Sequence, residues 1–506
     1  MEILSSAQMS AADAYTINEL GIPSAVLMEN AASSFVSHLL EKYPDISSAA
    51  VAVGAGNNGG DGLAVARLLD NAGIHTDIYL ACPAEKLKGD ALINFNILTK
   101  YPVNIFTVEE DDIPVFDNYD ITIDALFGTG LSRPLTGFYE ELVNSINLTS
   151  ALIASVDIPS GLSGDTWEII GTCVDADLTV TFGRPKYPHI MFPARKMCGE
   201  VAVADISIPD FAVDTVGCDT FLLTPDSLPL MTEREPDSHK GHFGHAVIIG
   251  GSEGKSGAAF MASMSCARTG AGLTTLAVPG GLISAAESVN PEIMSVAVGT
   301  GTSFDMSDTD KILSFLKGKT AAAIGMGLGT DEQTGLFLNY LIKNTNIPVV
   351  IDADGINLLS RDMLPMLKGR GIITPHIGEF ARLMDTDTAD VMKNRMELAR
   401  CMAVQYGIIV VQKSADTVIA LPNGRIFIDI SGTPALSKGG SGDCLTGIIT
   451  GFISQGFDLD FACLLGCYTL GRTAEIVSAE MNERSVMTTD IINNIHKTLD
   501  ELEENS

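Results

Sequence analysis

Val53-Gly54-Ala55-Gly56-Asn57-Asn58-Gly59-Gly60-Asp61-Gly62 joins the apolar run Ala49–Val53 to a helical segment, Leu63–Leu69. A short buried-type strand, a glycine loop and a helix, in that order, begin a βαβ unit. Glycine N–H groups can approach an anion closely there, and the following helix N-terminus adds positive potential. The rhythm repeats outward, with strands predicted at Thr76–Leu80, Ile121–Ala125, Leu152–Val156 and Leu178–Phe182. Strands spaced by helical segments form a parallel sheet. A second series follows at His245–Ile249, Leu273–Val278, Ala321–Ile324, Val349–Ile351, Gly371–Ile373 and Ile408–Val411. Between the two, Leu222–His239 holds Pro225, Pro229 and Pro236 among several charges, which predicts a boundary and domains at 1–220 and 221–506. Residues 1–45 read as helical.

The 506 residues suffice for two or three domains, and 46% apolar against 19% charged residues excludes a disordered chain. With 63 acidic and 31 basic residues the formal charge is −32, a field that repels nucleic acid. Mean hydropathy is +0.25. The longest uncharged stretch near Thr269–Ala286 is interrupted by glycines and a proline, so no membrane span is expected. Met1–Ser6 lacks a basic and apolar leader, and none of the nine cysteines forms Cys-x-x-Cys. A cytoplasmic, reducing location is expected. Cys463 and Cys467, four apart in an apolar run, read as packed thiols on one helix face.

Gly54, Gly56 and Gly59 satisfy G-x-G-x-x-G. A dehydrogenase fits poorly, because Asn57 and Asn58 replace small residues and Asp61 puts a carboxylate where a pyrophosphate would sit. Asp124-Ala125-Leu126-Phe127-Gly128-Thr129-Gly130-Leu131-Ser132-Arg133-Pro134 and Val156-Asp157-Ile158-Pro159-Ser160-Gly161 end two further strands. At that rim Asn58, Asp124 and Ser160 could gather oxygens around a monovalent cation, leaving Asp157 to move a proton. A helix cap accounts for any one such Asp, but three loops in sequential units favour a site.

Gly56–Gly62, Asp124 with Gly128–Gly130, Val156–Gly161 and Leu27-Met28-Glu29-Asn30-Ala31 resemble the NAD(P)H-hydrate epimerase family over about residues 1–215. The resemblance implies a Rossmann-like α/β/α domain. It places the nucleotide on Asn57, Asn58, Gly59, Gly60, Asp61, Gly128, Thr129, Gly130, Leu131, Ser132, Arg133 and Pro134. It implies K⁺ on Asn58, Asp124 and Ser160, with Asp157 contacting substrate and moving the proton.

In the second half, Gly432–Asp443 leads into the helical run Leu445–Ile453. A glycine loop at a helix N-terminus stabilises charge on a transferring phosphoryl group, and Asp443 at its opening can take a proton from an attacking hydroxyl. The bland reading makes Asp443 a helix cap. Gly250-Gly251-Ser252-Glu253-Gly254-Lys255-Ser256 is not a phosphate-binding P-loop, being one residue short between glycines. Thr374-Pro375-His376-Ile377-Gly378-Glu379 follows a strand, and His376 by itself reads first as a cap. Val410–Thr417 reads as a strand entering a hairpin, with Asn423-Gly424 as the next turn.

His239–Gly244, Gly250–Ser252 with Gly257-Ala258, Thr374–Phe380 and Lys438–Asp443 resemble the ribokinase-like ADP-dependent NAD(P)H-hydrate dehydratases over about residues 225–500. The resemblance implies hydrate contacts at Ala258, Gly327, His376 and Asp443. It implies ADP contacts at Lys413, Ser414, Ala415, Asp416, Thr417 and Gly442. Mg²⁺ bridging the phosphates, with Glu379 orienting it through water, completes the set. The expectation is a bifunctional repair enzyme with small-molecule partners, and a homo-oligomer. A vitamin or sugar kinase with an accessory domain is the alternative, and a non-catalytic nucleotide-binding scaffold is a third reading. With so acidic a chain, Lys413 and Lys438 are expected to help form positive pockets.

Overall fold

The predicted strands all lie in the two α/β sheets of the computed structural model, which describes residues 1–231 and 233–504. The chain forms two compact units, one from Glu2 to Thr220 and the other from Phe221 onward with Met1.

The first sheet holds β1 (Ser48–Val53), β2 (His75–Leu80), β3 (Asn104–Thr107), β4 (Ile121–Ala125), β5 (Leu152–Val156), β6 (Leu178–Phe182) and β7 (Glu200–Ala204), in the order β3-β2-β1-β4-β5-β6-β7. All its pairings are parallel, a Rossmann-like arrangement. Alternate residues of β1 serve opposite layers: Val51 and Val53 pack with Leu27, Phe35 and Leu63, while Ala50 and Ala52 pack with Phe116, Leu142 and Ile146. Strand order reverses between β1 and β4, so their following loops diverge and open a crevice at the C-terminal rim.

The glycines after β1 are there for close packing. A Cβ on Gly54 would lie 1.9 Å from Leu126 O, and one on Gly59 1.9 Å from Gly54 O. Backbone oxygens cannot move aside as a side-chain tip can. Gly59→Ala is therefore expected to destabilise the first unit by about 3 kcal/mol or more, read as a lower denaturant midpoint. An unchanged midpoint would show that the helix Asn57–Asn71 tolerates a looser seat on the sheet.

The second sheet comprises β8 (Thr220–Leu222), β9 (His245–Ile249), β10 (Leu273–Pro279), β11 (Met294–Val298), β12 (Ala321–Ile324), β13 (Val349–Ile351), β14 (Gly371–Ile373), β15 (Ile409–Gln412), β16 (Thr417–Ala420) and β17 (Ile426–Asp429). Its order is β11-β10-β9-β12-β13-β14-β15-β16-β17-β8. It is parallel from β11 to β15, then antiparallel through β16 and β17. The helix Ser441–Ser454 is almost wholly buried against it, and Cys463 and Cys467 are buried thiols on the helix Leu459–Glu480. Among the described residues no helix is long and apolar enough to cross a membrane.

Candidate functional site

In the first unit the crevice gathers Asn58, Asp124, Asp157 and Ser160 from three strand ends. Asp124 is wholly buried. Its Oδ1 accepts from Ser160 Oγ at 2.6 Å, and its Oδ2 from Ser160 N at 2.8 Å and Ser155 Oγ at 2.9 Å. Burial pushes its pKa up, against these hydrogen bonds. Ser160 Oγ also donates toward Phe127 O at 3.2 Å and accepts from Phe127 N at 2.8 Å. The Asn58 side chain lies against Gly128, where a Cβ would be 3.3 Å away, and its buried Nδ2 has no protein partner. A buried carboxylate without a protein cation, among hydroxyl and carbonyl oxygens, suits a hard monovalent cation.

Asp157 is not a helix cap. Held at φ +64, an uncommon backbone conformation for a residue other than glycine, its Oδ1 accepts from Lys186 Nζ at 2.6 Å and Thr181 Oγ1 at 2.9 Å. Lys186 is 1% exposed, and its ammonium also donates to Thr181 Oγ1 and Phe182 O. Burial alone would raise the Asp157 pKa, but the Lys186 charge and hydrogen bond bring it below the ordinary carboxylate range. His189 Nδ1 accepts from Lys186 N, and burial followed by the Lys186 charge lowers this imidazole to about 3.

Asp61 has the opposite character. Burial, then the charges of Asp157, Asp13 and Asp90, push its pKa well above the ordinary carboxylate range, against the pull of Lys186. The raised pKa lessens its conflict with a nearby anion. Asp13, from the helix Ser6–Asn18, is raised to about 6 by burial and by Asp157, against Lys186. Sequence reasoning missed both Asp13 and Lys186. The only signal for Lys186 was its place at the rim, just after β6, in Gly183-Arg184-Pro185-Lys186. Along the Gly128–Pro134 loop, Thr129 O accepts from Ser6 Oγ at 3.2 Å, while Gly130, Ser132 and Arg133 are exposed.

In the second unit, loops after β9, β12 and β13 are tied together. Ser252 Oγ donates to Gly327 O at 2.8 Å, and Asp354 Oδ2 accepts from Gly329 N at 2.9 Å and Lys255 Nζ at 3.1 Å. Ala258 sits in the first turn of the helix Ser256–Arg268 beside them. His376 is the N-cap of the helix Ile377–Met384: its Nδ1 accepts from Gly378 N and Glu379 N, while Glu379 Oε2 accepts from His376 N at 2.8 Å. The capping reading of His376 therefore holds, with the outer part of the ring still half exposed.

Asp443 lies in the first turn of the helix Ser441–Ser454, whose N-cap is Gly440 with no side-chain capping bond. It is thus not the cap. Burial, then the charges of Asp352, Asp354 and Glu379, raise its pKa to about 7 against the pull of Lys413. The buried Ser441 Oγ has no protein partner beside it. Lys413 N donates to Pro375 O at 2.8 Å, and its Nζ meets Asp352 Oδ1 at 2.5 Å, next to Gly442. Asp352 Oδ2 accepts from Thr446 Oγ1 at 2.9 Å. Asp352, in a strand-end loop Asp352–Gly355 that the sequence also offers as part of a cleft, is a fixed neighbour of Asp443. The Lys438 ammonium donates to Arg484 O at 2.8 Å and to Val486 O, which ties the glycine loop to that backbone. Among the described residues no three His, Cys, Asp or Glu side chains are grouped to hold a metal.

A family model described as NAD(P)H-hydrate dehydratase matches residues 246–497, and one described as YjeF-related protein N-terminus matches residues 24–187. The chain is 33% identical to a bifunctional NAD(P)H-hydrate repair enzyme of Thermofilum pendens, covering 100% of this chain and 97% of that protein. It is 34% identical to one of Moorella thermoacetica, covering 100% and 98%. Among solved structures it resembles an ADP/ATP-dependent NAD(P)H-hydrate dehydratase of Bacillus subtilis, co-crystallised with ATP/Mg²⁺. That match has 28% identity and a TM-score of 0.48 over 56% of this chain and 99% of that one.

Proposed function

The chain belongs to the family of bifunctional NAD(P)H-hydrate repair enzymes, and on that premise we propose how its two units divide the work. The first interconverts the R and S hydrates at C6 of the nicotinamide ring. The second converts the S hydrate to NAD(P)H at the expense of ADP, releasing AMP and phosphate. The pairing of an ionised, ion-paired Asp157 in one unit with an uncapped, high-pKa Asp443 in the other carries this reading.

Inversion at C6 follows if, as the hydroxyl proton leaves, the oxygen forms C6=O and the C6–N1 bond breaks with its electron pair going to N1; N1 then re-adds to the other face of C6 and the oxygen regains the proton. Asp157, kept charged by Lys186, takes and returns that proton. Asp61, its pKa raised by burial and by neighbouring carboxylates, repels the nucleotide less than an ordinary carboxylate would. K⁺ on Asn58, Asp124 and Ser160 would supply positive charge for the substrate's phosphates.

In the second unit, Asp443 accepts the C6 hydroxyl proton as that oxygen attacks the terminal phosphorus of ADP and AMP departs. The C6–O bond then breaks with phosphate taking the electron pair, N1 stabilises the cation, and loss of the C5 proton restores the ring double bond. The N-terminal N–H groups of the helix Ser441–Ser454 and Lys413 hold the transferring group. Mg²⁺ would be carried by the phosphates, with Glu379 reaching it through water. A homo-oligomer is part of the proposal.

Purified protein given hydrate and ADP should regenerate the reduced-nicotinamide absorbance with matching AMP and phosphate. Phosphorylated product without that absorbance would favour the kinase reading. Because Asp443 must be deprotonated to act, dehydration should fall about tenfold per unit below pH about 7 and level off above it. A flat profile through that range contradicts its role as base.

A further inference from the structure

We propose that Arg395 is a positioning residue that holds the Lys413–Thr417 turn in the shape that receives the adenine nucleotide; this rests on the reading of that turn as an ADP contact. Arg395 is fully buried on the helix Thr388–Tyr406. Its guanidinium donates to the turn and to the strand end that enters it. Nε donates to Gln412 Oε1 at 3.1 Å, Nη1 to Ser414 Oγ at 3.2 Å and Asp416 Oδ1 at 2.6 Å, and Nη2 to Asp416 O at 2.7 Å. Ser414 Oγ in turn donates to Asp416 Oδ1 at 2.8 Å. The helix leaves α geometry at Asn394, φ −116 and ψ 19, one residue before the arginine.

This arrangement exceeds what joining β15 to β16 demands. A hairpin loop this short closes with its own turn chemistry, as Thr417 Oγ1 donating to Ser414 O at 3.0 Å already illustrates. A buried ion pair is a poor net stabiliser compared with packed apolar residues of the same volume. What the fork supplies is shape: side chain and carbonyl of Asp416 and the Ser414 hydroxyl are fixed before any ligand arrives, which removes an ordering cost from binding. The opposite side of the turn is pinned by Lys413 N on Pro375 O. Lysine offers one nitrogen in place of the planar fork and cannot reproduce this.

Arg395→Lys is expected to raise KM for ADP by about tenfold or more, with kcat at saturating ADP and KM for hydrate within about twofold. Should that variant not fold, Gln412→Met, which removes the acceptor of Arg395 Nε and changes no residue of the turn, carries the same measurement. A lowered Tm with KM for ADP unchanged in either variant would make Arg395 merely structural and overturn the proposal. Hydrogen exchange of the wild-type segment 412–417 separates the two readings. If ADP does not protect it, the turn is not a nucleotide contact and both fall; if ADP protects it while KM stays put, the positioning role alone falls.

Discussion

Asp443→Asn should lower the rate of ADP-dependent dehydration by about 10³-fold, the span general-base catalysis ordinarily supplies. The substitution keeps the side-chain shape and removes only the proton acceptor. Asp443 caps no helix, and burial together with neighbouring Asp352, Asp354 and Glu379 opposes its charge, so the neutral amide should not destabilise the protein. An unchanged Tm alongside the lost rate separates chemistry from folding. Epimerisation by the other unit should continue at the parental rate, measured by chromatographic separation of the two hydrates. A variant retaining more than about a tenth of the dehydration rate would remove Asp443 from the base role.

The second large effect belongs to Asp157. Asp157→Ala should leave R-hydrate converting only at its spontaneous rate, while S-hydrate is still dehydrated normally. Removing this carboxylate strands Lys186 as a buried, unpaired cation, which costs about 3–5 kcal/mol and could unfold the first unit. Asp157→Ala/Lys186→Met avoids that stranded charge and should fold yet remain inactive as an epimerase. R-hydrate consumption above background in the double variant would place the proton transfer elsewhere, with Asp61 or Asp13 as the nearest carboxyls.

Much of this architecture was legible because its central strands are buried on both faces. Ile121–Ala125, Leu178–Phe182 and His245–Ile249 read as short apolar runs and are such strands. The strands Asn104–Thr107, Glu200–Ala204 and Met294–Val298 escaped prediction because each begins exposed and lies at or near a sheet edge, where no continuous apolar run is required. Glycine spacing marked the tight turn after the first strand, where a Cβ on Gly54 or Gly59 would lie 1.9 Å from a backbone oxygen. Groups that act through space were harder. Lys186 is 29 residues from Asp157, and Arg395 is 21 from Asp416, so neither pairing leaves a local pattern. The carbonyl partners of Lys438, at Arg484 and Val486, are 46 and 48 residues away and leave no local pattern either. The conflict of Asp61 with an anion was overstated because the burial and neighbouring carboxylates that raise its pKa leave no sequence pattern.

The division of labour between the two units is tested most directly with a mixture of R and S hydrates, excess ADP and a time short against spontaneous epimerisation. Wild type should return the whole pool as NAD(P)H, Asp157→Ala only the S portion, and Asp443→Ala none. Full recovery by Asp157→Ala, or recovery of any portion by Asp443→Ala, would contradict the account.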